Sequence, residues 1–276
     1  MTEFRRTPDF PRGGVARPPR RNPITDEVTT EEAGGVLTIT LFRPEAKNAM
    51  THSAAEQIAA AVDELDRRED LVVGIITGGG GTFCSGMDLK DFVRGSLPVV
   101  PGRGFAGVTE RPPSKPFIAA VEGWALAGGC ELALAADIVV AARTARFGLP
   151  EVKRGLVAAA GGLLRLPSAV GYSRAMLMAL TGDPVTAEDA ARDGLVTVLT
   201  QEGQALPEAM SIAQRIAGNG PLAVRATKQV MAARLGIDSA AFRAQRVITD
   251  PVITSRDATE GARAFAEKRA PAWSAR

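Results

Sequence analysis

The sequence has very few of the residues on which nucleophilic, metal and redox sites commonly depend. Its 276 residues include one histidine, His52, and two cysteines, Cys84 and Cys130. Two cysteines do not make a disulfide framework or a zinc site, so we expect no metal and a reducing compartment. There is no G-x-S-x-G motif, and His52 lies at a predicted helix start, far from any promising serine. A Ser-His-Asp triad is therefore not indicated, and His52 is assigned a capping or surface role.

Long apolar runs are also absent. No run reaches the roughly 18 residues needed to span a bilayer, and the N-terminus lacks the apolar core of a secretory signal. The apolar content of 45% and the charged content of 23% are ordinary for a globular protein. We therefore expect a cytoplasmic protein without a membrane segment, built as one large α/β domain with or without an appendage.

The net charge of +2 hides an uneven distribution. The stretch "RRTPDFPRGGVARPPRRNP" is rich in arginine and proline and has few residues that could join a core. We interpret residues 1–26 as a flexible arm. Contact with nucleic acid or another acidic surface is an open alternative, although a solvated tail is favoured.

The rest of the chain shows regular patterns from Gly35 onward. "GVLTITLF" alternates like a strand, residues 53–70 have helical spacing, and "LVVGIITG" is an apolar strand. After a charged segment broken by Pro and Gly (residues 90–113), "KPFIAAVEG", "GGCELALAAD" and "IVVAAR" read as strand, helix and strand. This succession predicts a mostly parallel sheet. The α/β core is placed at 27–200 and a helical region at 201–276, with candidate helices at 172–180, 187–193, 206–217, 222–235 and 254–269.

Two glycine-rich motifs fail as nucleotide sites. "GRGFAG" (residues 102–107) fits G-x-G-x-x-G, but no helix begins on it. "GTFCSGMD" (residues 81–88) has the glycine spacing of a P-loop, but Met-Asp occupies the Lys-Ser/Thr positions. A phosphate cradle without its lysine is not indicated.

The run "WALAGGCELALAADIVV" contains a carboxylate, Glu131, among small and apolar residues. Burial of an ionised carboxylate without a partner is expensive. Glu131 is therefore expected to be paired, neutral or used in chemistry.

Two glycine-containing turns and a second glutamate extend this hypothesis. "CSGMD" and "LAGGCE" each follow an apolar strand, and their backbone N–H groups could converge into an oxyanion hole or simply form two tight turns. Glu151, in "FGLPEVKRG", could act with Glu131 in acid–base chemistry next to a carbonyl, or form an ion pair with Lys153 or Arg154. From the residues alone, both pairs of alternatives remain open.

These segments resemble the enoyl-CoA hydratase/isomerase (crotonase) family. The resemblance runs from about Gly35 to Trp273 through "RPEAKNAM", "GTFCSGMDLKDF", "KPFIAAVEGWALAGGCELALAADIVVA", "FGLPEVKRGLVAAAGG" and "EGARAFAEKRAP". It implies a crotonase-like spiral of repeated β-β-α units with a helical C-terminal trimerisation region, and a homotrimer or dimer of trimers.

The resemblance also implies a site and a reaction. It assigns the backbone N–H groups of Met87 and Gly128 to an oxyanion hole for the thioester oxygen of an acyl-CoA. Glu131 and Glu151 match the two glutamates of members that hydrate 2-trans-enoyl-CoA, where the pair positions a water and transfers protons. No cofactor is implied, because coenzyme A is part of the substrate. The alternatives are an isomerase, another acyl-CoA enolate enzyme of the family, or a relative that binds acyl-CoA or RNA.

Further positions follow from the same resemblance. The residues implied to contact coenzyme A are Lys47, Ala49, Asp88, Leu89, Phe265 and Lys268. The variable segment from Phe92 to Val108 is implied to supply the acyl pocket, through Phe92, Val93, Leu97 and Phe105. Phe42 and Glu122 replace asparagines common in the family, and Met87 is bulkier than the usual alanine. These departures bear on substrate preference more than on reaction class.

Overall fold

The computed structural model describes residues 27–274, so the arm predicted at residues 1–26 lies outside the described residues. The strands, in chain order, are β1 (Val28–Ala33), β2 (Val36–Leu41), β3 (Val73–Gly78), β4 (Val99–Val100), β5 (Gly104–Phe105), β6 (Phe117–Val121), β7 (Trp124–Leu126), β8 (Ile138–Ala142), β9 (Arg146–Gly148), β10 (Val185–Thr186) and β11 (Val198–Thr200). The helices are α1 (His52–Arg67), α2 (Leu89–Val93), α3 (Gly128–Leu134), α4 (Gly162–Val170), α5 (Tyr172–Thr181), α6 (Ala187–Asp193), α7 (Ala205–Ala217), α8 (Pro221–Arg234), α9 (Ser239–Ile253) and α10 (Arg256–Ala266).

The main sheet has six strands in the order β1-β2-β3-β6-β8-β11. β1 and β2 form an antiparallel hairpin through Gly34 and Gly35, whose positive φ angles of 57° and 79° suit the tight turn. All other pairs in this sheet are parallel. The predicted mixed α/β fold with a mostly parallel sheet is confirmed.

Both faces of this sheet are covered, which explains why its central strands are almost continuously apolar. On one face, Ile58 and Leu65 of α1 are fully buried with Ile39 and other strand residues. On the other face, the alanines of α7 pack on Val73, Ile75 and neighbouring strand residues. The boundary predicted at residue 201 marks where strands give way to helices. It does not separate two packing units, because α7 packs on the main sheet.

A smaller sheet of β7, β9 and β10 leads into α3. β7 pairs in parallel with β9, and β10 pairs antiparallel with β9. The Ala127 N–H donates to the Gly148 carbonyl at 2.9 Å, so the residue that begins the α3 turn is tied to this sheet. The small sheet thereby fixes where α3 starts.

The helical character predicted after Gly161 is confirmed, with differences in detail. The helix predicted at 254–269 is shorter (α10), and α4 and α9 are additional helices that the candidate ranges did not include. The segment 90–113 contains the end of α2 and the β4–β5 hairpin. Within residues 27–274, no helix is long and apolar enough to cross a membrane.

Candidate active site

A cavity of about 960 Å³ lies between the loops that follow β2, β3 and β7, helix α2 and the 3-10 turn Pro150–Arg154. The structure brings nearly all the predicted site residues together in its lining. Those that line it are Lys47, Ala49, Met87, Asp88, Leu89, Phe92, Leu97, Phe105, Gly128, Glu131, Glu151 and Phe265.

Val93 and Lys268 do not line this cavity. Leu89 and Phe92 of α2 face it, whereas the following residue, Val93, is 73% exposed, as expected for the outer face of a short amphipathic helix. Val93 therefore lies outside the lining of this cavity, and its role in the acyl pocket stays a prediction. Lys268 is exposed beyond the end of α10, while Phe265 on that helix reaches the cavity of its own chain.

The two N–H groups predicted to form an oxyanion hole lie in adjoining turns. Gly86 has φ +100°, and a Cβ built on it would be 3.4 Å from the Gly128 nitrogen, so the turn carrying Met87 packs against the start of α3. Ala127 has φ +51°, which costs a non-glycine residue free energy and is common beside functional sites. Among the described residues, no acceptor is paired with the N–H of Met87 or of Gly128.

Gly128 also needs to be glycine for packing. A Cβ at this position would lie 2.4 Å from Cζ of Phe105, well inside contact distance. The Phe105 ring therefore lies directly on the backbone of Gly128 and forms an apolar wall beside its N–H.

Glu131 is 3% exposed, which fits its position in an apolar run. Its Oε1 accepts a hydrogen bond from the Gly162 N–H at 2.8 Å. Burial raises the pKa of Glu131 to about 7, against the opposing effects of N–H groups at Gly162 and Ala160 and of the Arg165 charge. Glu131 is thus a buried carboxyl that can gain or lose a proton near neutral pH.

Glu151 lies on the 3-10 turn Pro150–Arg154. Its Oε2 is buried and has no hydrogen-bond partner among the described residues. Burial, followed by the negative charge of Glu131, raises the pKa of Glu151 well above its usual range. Two carboxyls in one poorly solvated cavity cannot both ionise easily, so the pair retains a proton that chemistry can use.

The ion-pair alternative for Glu151 is not what the structure shows. Lys153 forms a 2.5 Å salt bridge with Asp183. The Arg154 guanidinium lies over the Phe265 ring, 4.1 Å from its centroid. In the part of the chain described, neither cation forms a salt bridge with Glu151.

The cavity mouth is polar, and one of its cations was missed by the sequence analysis. Arg43 contacts Asp88 at 3.2 Å and Glu27 at 2.8 Å, so the predicted coenzyme A contact Asp88 is engaged in an ion pair. Asp88 also caps α2 by accepting from the Lys90 N–H. Lys47 is exposed and lines the cavity, and within residues 27–274 its side chain forms no salt bridge.

Other notable residues have structural roles. His52 is half-exposed, and the N-cap of α1 is instead Thr51, which accepts from the Ala54 N–H. Glu122 caps α7 by accepting from the Ala205 N–H at 3.0 Å. Both cysteines are buried, and burial raises the pKa of the Cys84 thiol to about 12. Within the described residues, no three His, Cys, Asp or Glu side chains are grouped to hold a metal ion.

Comparison with known proteins agrees with this architecture. The family model described as "Enoyl-CoA hydratase/isomerase" matches residues 31–276. The chain is 39% identical to enoyl-CoA hydratase EchA19 of Mycobacterium tuberculosis over 255 residues, which are 89% of this chain and 95% of that protein.

Solved structures show the same fold. Enoyl-CoA hydratase EchA1 from Mycobacterium marinum is 55% identical with a TM-score of 0.75, covering 90% of this chain and 98% of its own. Carnitinyl-CoA hydratase from Mycobacterium avium is 41% identical with a TM-score of 0.87, covering 91% of this chain and 99% of its own. The crotonase-like fold expected from the sequence motifs is confirmed, and the chain belongs to the enoyl-CoA hydratase/isomerase family.

Proposed function

We propose that the protein is an enoyl-CoA hydratase that adds water across the 2-trans double bond of an enoyl-CoA thioester to give a 3-hydroxyacyl-CoA. The observation that carries the proposal is that Glu131 and Glu151 line one cavity with Gly128 and Met87. The backbone N–H groups of the latter two have no hydrogen-bond acceptor among residues 27–274. Relatives named as enoyl-CoA hydratase and as carnitinyl-CoA and mevalonyl-CoA hydratases or dehydratases support the reaction class.

The proposed mechanism uses the shared proton of the carboxyl pair. The N–H groups of Met87 and Gly128 hold the thioester oxygen and stabilise the negative charge that develops there. The ionised carboxylate takes a proton from a water held between the glutamates, and the water oxygen bonds to C3. The neutral carboxyl then gives its proton to C2 as the enolate collapses, so the pair ends with the same number of protons.

Substrate binding is proposed to follow the polarity of the cavity. Lys47 and Arg154 supply positive charge for the phosphates of coenzyme A, and Phe265 offers an aromatic face at the same mouth. Phe92, Leu97 and Phe105 form the apolar wall for the acyl chain. The reaction needs no cofactor in this scheme, since coenzyme A enters as part of the substrate.

A homotrimer or dimer of trimers is part of the proposal. Helices α8 and α9 leave several large apolar side chains 69–80% exposed. These are Leu222, Val230, Met231, Val247 and Ile248. Grouped exposed apolar side chains of this kind are typical of a surface that another protein chain covers.

The experiment is loss of the enoyl-thioester absorbance with crotonyl-CoA and with a longer 2-enoyl-CoA. Wild type is compared with Glu131→Gln and Glu151→Gln, and each substitution should reduce kcat by roughly 10²–10⁴-fold. Asp183→Asn is a matched control, because it also neutralises an acid but one paired with Lys153 outside the cavity. A wild type that binds coenzyme A but leaves both thioesters unchanged would refute the hydratase proposal.

Isomerisation of a 3-enoyl-CoA is the second candidate. The observation that favours it is the buried Oε2 of Glu151, which has no hydrogen-bond partner within residues 27–274 and could transfer a proton alone while Glu131 is held by Gly162. If Glu131→Gln abolishes hydration but retains isomerisation, Glu151 acts alone in the second reaction.

A further inference from the structure

Arg165, a half-buried cation whose Nη1 is buried, lies on the helix that holds Glu131. Helix α4 begins at Gly162, whose N–H binds the Glu131 carboxylate, and Arg165 lies one turn farther along. The Arg165 Nη2 donates to the Thr109 carbonyl at 2.6 Å. A Cβ on Gly161 would lie 2.3 Å from Nη1, so glycine at this position makes room for the guanidinium.

Arg165 and three other residues, on the Thr109 loop and on α9, have buried polar atoms without a hydrogen-bond partner among residues 27–274. Such buried orphan atoms are uncommon in folded proteins, and each calls for an explanation. Those near this helix are Arg165 Nη1, Thr109 Oγ1, Gln245 Oε1 and Thr249 Oγ1.

The orphan atoms belong to elements in contact with one another. Gln245 Nε2 donates to the Ala159 carbonyl just before α4, and Thr249 follows one turn later on α9. The Arg165 guanidinium lies 5.6 Å from the ring of Phe242 on the same helix. One donor, one acceptor and two hydroxyls are complementary to a small number of buried waters.

The guanidinium has no carboxylate within salt-bridge distance among the described residues. A buried cation without a charged partner is costly, and an apolar side chain would fill the same space without that cost. The charged groups that face Glu131 are Arg165 from α4 and Glu151 from the 3-10 turn. Arg165 is the cation of this set, and its charge is attracted to Glu131.

We propose that Arg165 is a positioning residue for Glu131. Held by the Thr109 carbonyl and by Phe242 of α9, it keeps the Glu131 carboxylate ionised and bound to the Gly162 N–H. This inference rests on the proposed function for its role in turnover, but the ionisation of Glu131 can be measured without turnover. The effect would also link the helical C-terminal region to the acid–base pair, because Phe242 of α9 lies against the guanidinium.

The direct test is the titration of Glu131 by carbon-13 NMR of protein labelled at glutamate Cδ, with the signal assigned by its loss in Glu131→Gln. Arg165→Met should move the midpoint up by roughly one pH unit, because an adjacent cation favours the ionised form. Arg165→Lys should restore most of the shift. Arg174→Met is the control: it removes an arginine of α5 that is paired with Asp193 of α6, and it should leave the Glu131 midpoint unchanged.

An unchanged Glu131 midpoint in folded Arg165→Met would overturn the proposal. If Arg165→Met does not fold by circular dichroism, Arg165→Gln takes its place, since it keeps a donor for the Thr109 carbonyl but lacks the charge. The same criterion then applies to that variant.

Turnover separates this proposal from the hydratase proposal. The acid limb of kcat/KM for crotonyl-CoA should move with the NMR midpoint, giving roughly tenfold lower activity of Arg165→Met below that limb. A shifted NMR midpoint in a protein that does not hydrate crotonyl-CoA would refute the hydratase proposal alone. Hydration by wild type with no shift in either measurement would refute the Arg165 proposal alone.

Discussion

Gly162→Ala should impair catalysis without removing any functional group. A Cβ at this position would lie 2.8 Å from Cγ and 3.0 Å from Oε1 of Glu131. The middle of the Glu131 side chain must therefore move, and the 2.8 Å bond from the Gly162 N–H to the carboxylate is lost or lengthened. The carboxyl would leave the position in which it faces Glu151.

The size of the effect follows from that hydrogen bond. A bond to a charged group contributes about 1.5–3 kcal/mol, and each 1.4 kcal/mol is a factor of ten. We expect kcat/KM to fall about tenfold to hundredfold and the pKa of Glu131 to rise above its present value of about 7. The stability change should be small, because the better helix propensity of alanine, about 1 kcal/mol, opposes the cost of overpacking.

The assay compares crotonyl-CoA hydration and thermal unfolding of wild type, Gly162→Ala and Gly218→Ala. Gly218 is the control because a Cβ there meets its nearest neighbours at an ordinary 3.6 Å. Gly162→Ala with wild-type kcat/KM would refute the assignment of Glu131 as a residue whose position matters for catalysis. A large loss of stability with normal residual activity would indicate a packing role only.

Three further predictions concern Glu131, the cavity mouth and the cap of α7. Glu131→Gln should have a melting temperature a few degrees above that of wild type at pH 8 but not at pH 4. A carboxyl whose pKa is raised to about 7 in the folded protein lowers stability increasingly from about pH 4.5 to 7, and the whole loss is present above pH 7. Equal melting temperatures at pH 8 would contradict this. Phe265→Ala should raise KM for crotonyl-CoA a few-fold with little change in kcat, because the ring holds Arg154 at the cavity mouth. An unchanged KM in steady-state kinetics would argue against that role. Glu122→Ala should lower the free energy of unfolding by about 0.5–2 kcal/mol through loss of the α7 cap at Ala205 while leaving kcat unchanged, and denaturant unfolding that matches wild type would show that the cap contributes nothing.

The sequence predicted those elements whose buried faces are apolar. Helix α1 repeats Ile58, Val62 and Leu65 at helical spacing, and β3 is apolar except for Thr77, so both were recognisable. Helix α9 did not, because its buried face is Phe242, Gln245 and Thr249, two of them polar, and Pro251 lies within it. Hydrophobic periodicity cannot reveal a helix that buries polar side chains.

Some residues of the site could likewise be predicted from the sequence and others could not. Glu131 was identified because a carboxylate in an apolar run must be explained, and Arg165 in "GGLLRLPSAV" carries the same signal with the opposite charge. That signal could have revealed Arg165. Glu110, which lines the cavity and pairs with Arg246 at 2.6 Å, lies in a charged segment where nothing distinguishes it. Its partner is 136 residues away, and no local pattern predicts such a contact.

Incubation of the wild type with crotonyl-CoA in oxygen-18 water, followed by mass spectrometry of the thioester, tests the central claim most directly. The proposed mechanism predicts a product heavier by one molecule of labelled water, with the label in the hydroxyl at C3. Glu131→Gln and Glu151→Gln should incorporate it far more slowly. Recovery of unlabelled crotonyl-CoA, or of an isomer without the label, would contradict hydration by this carboxyl pair.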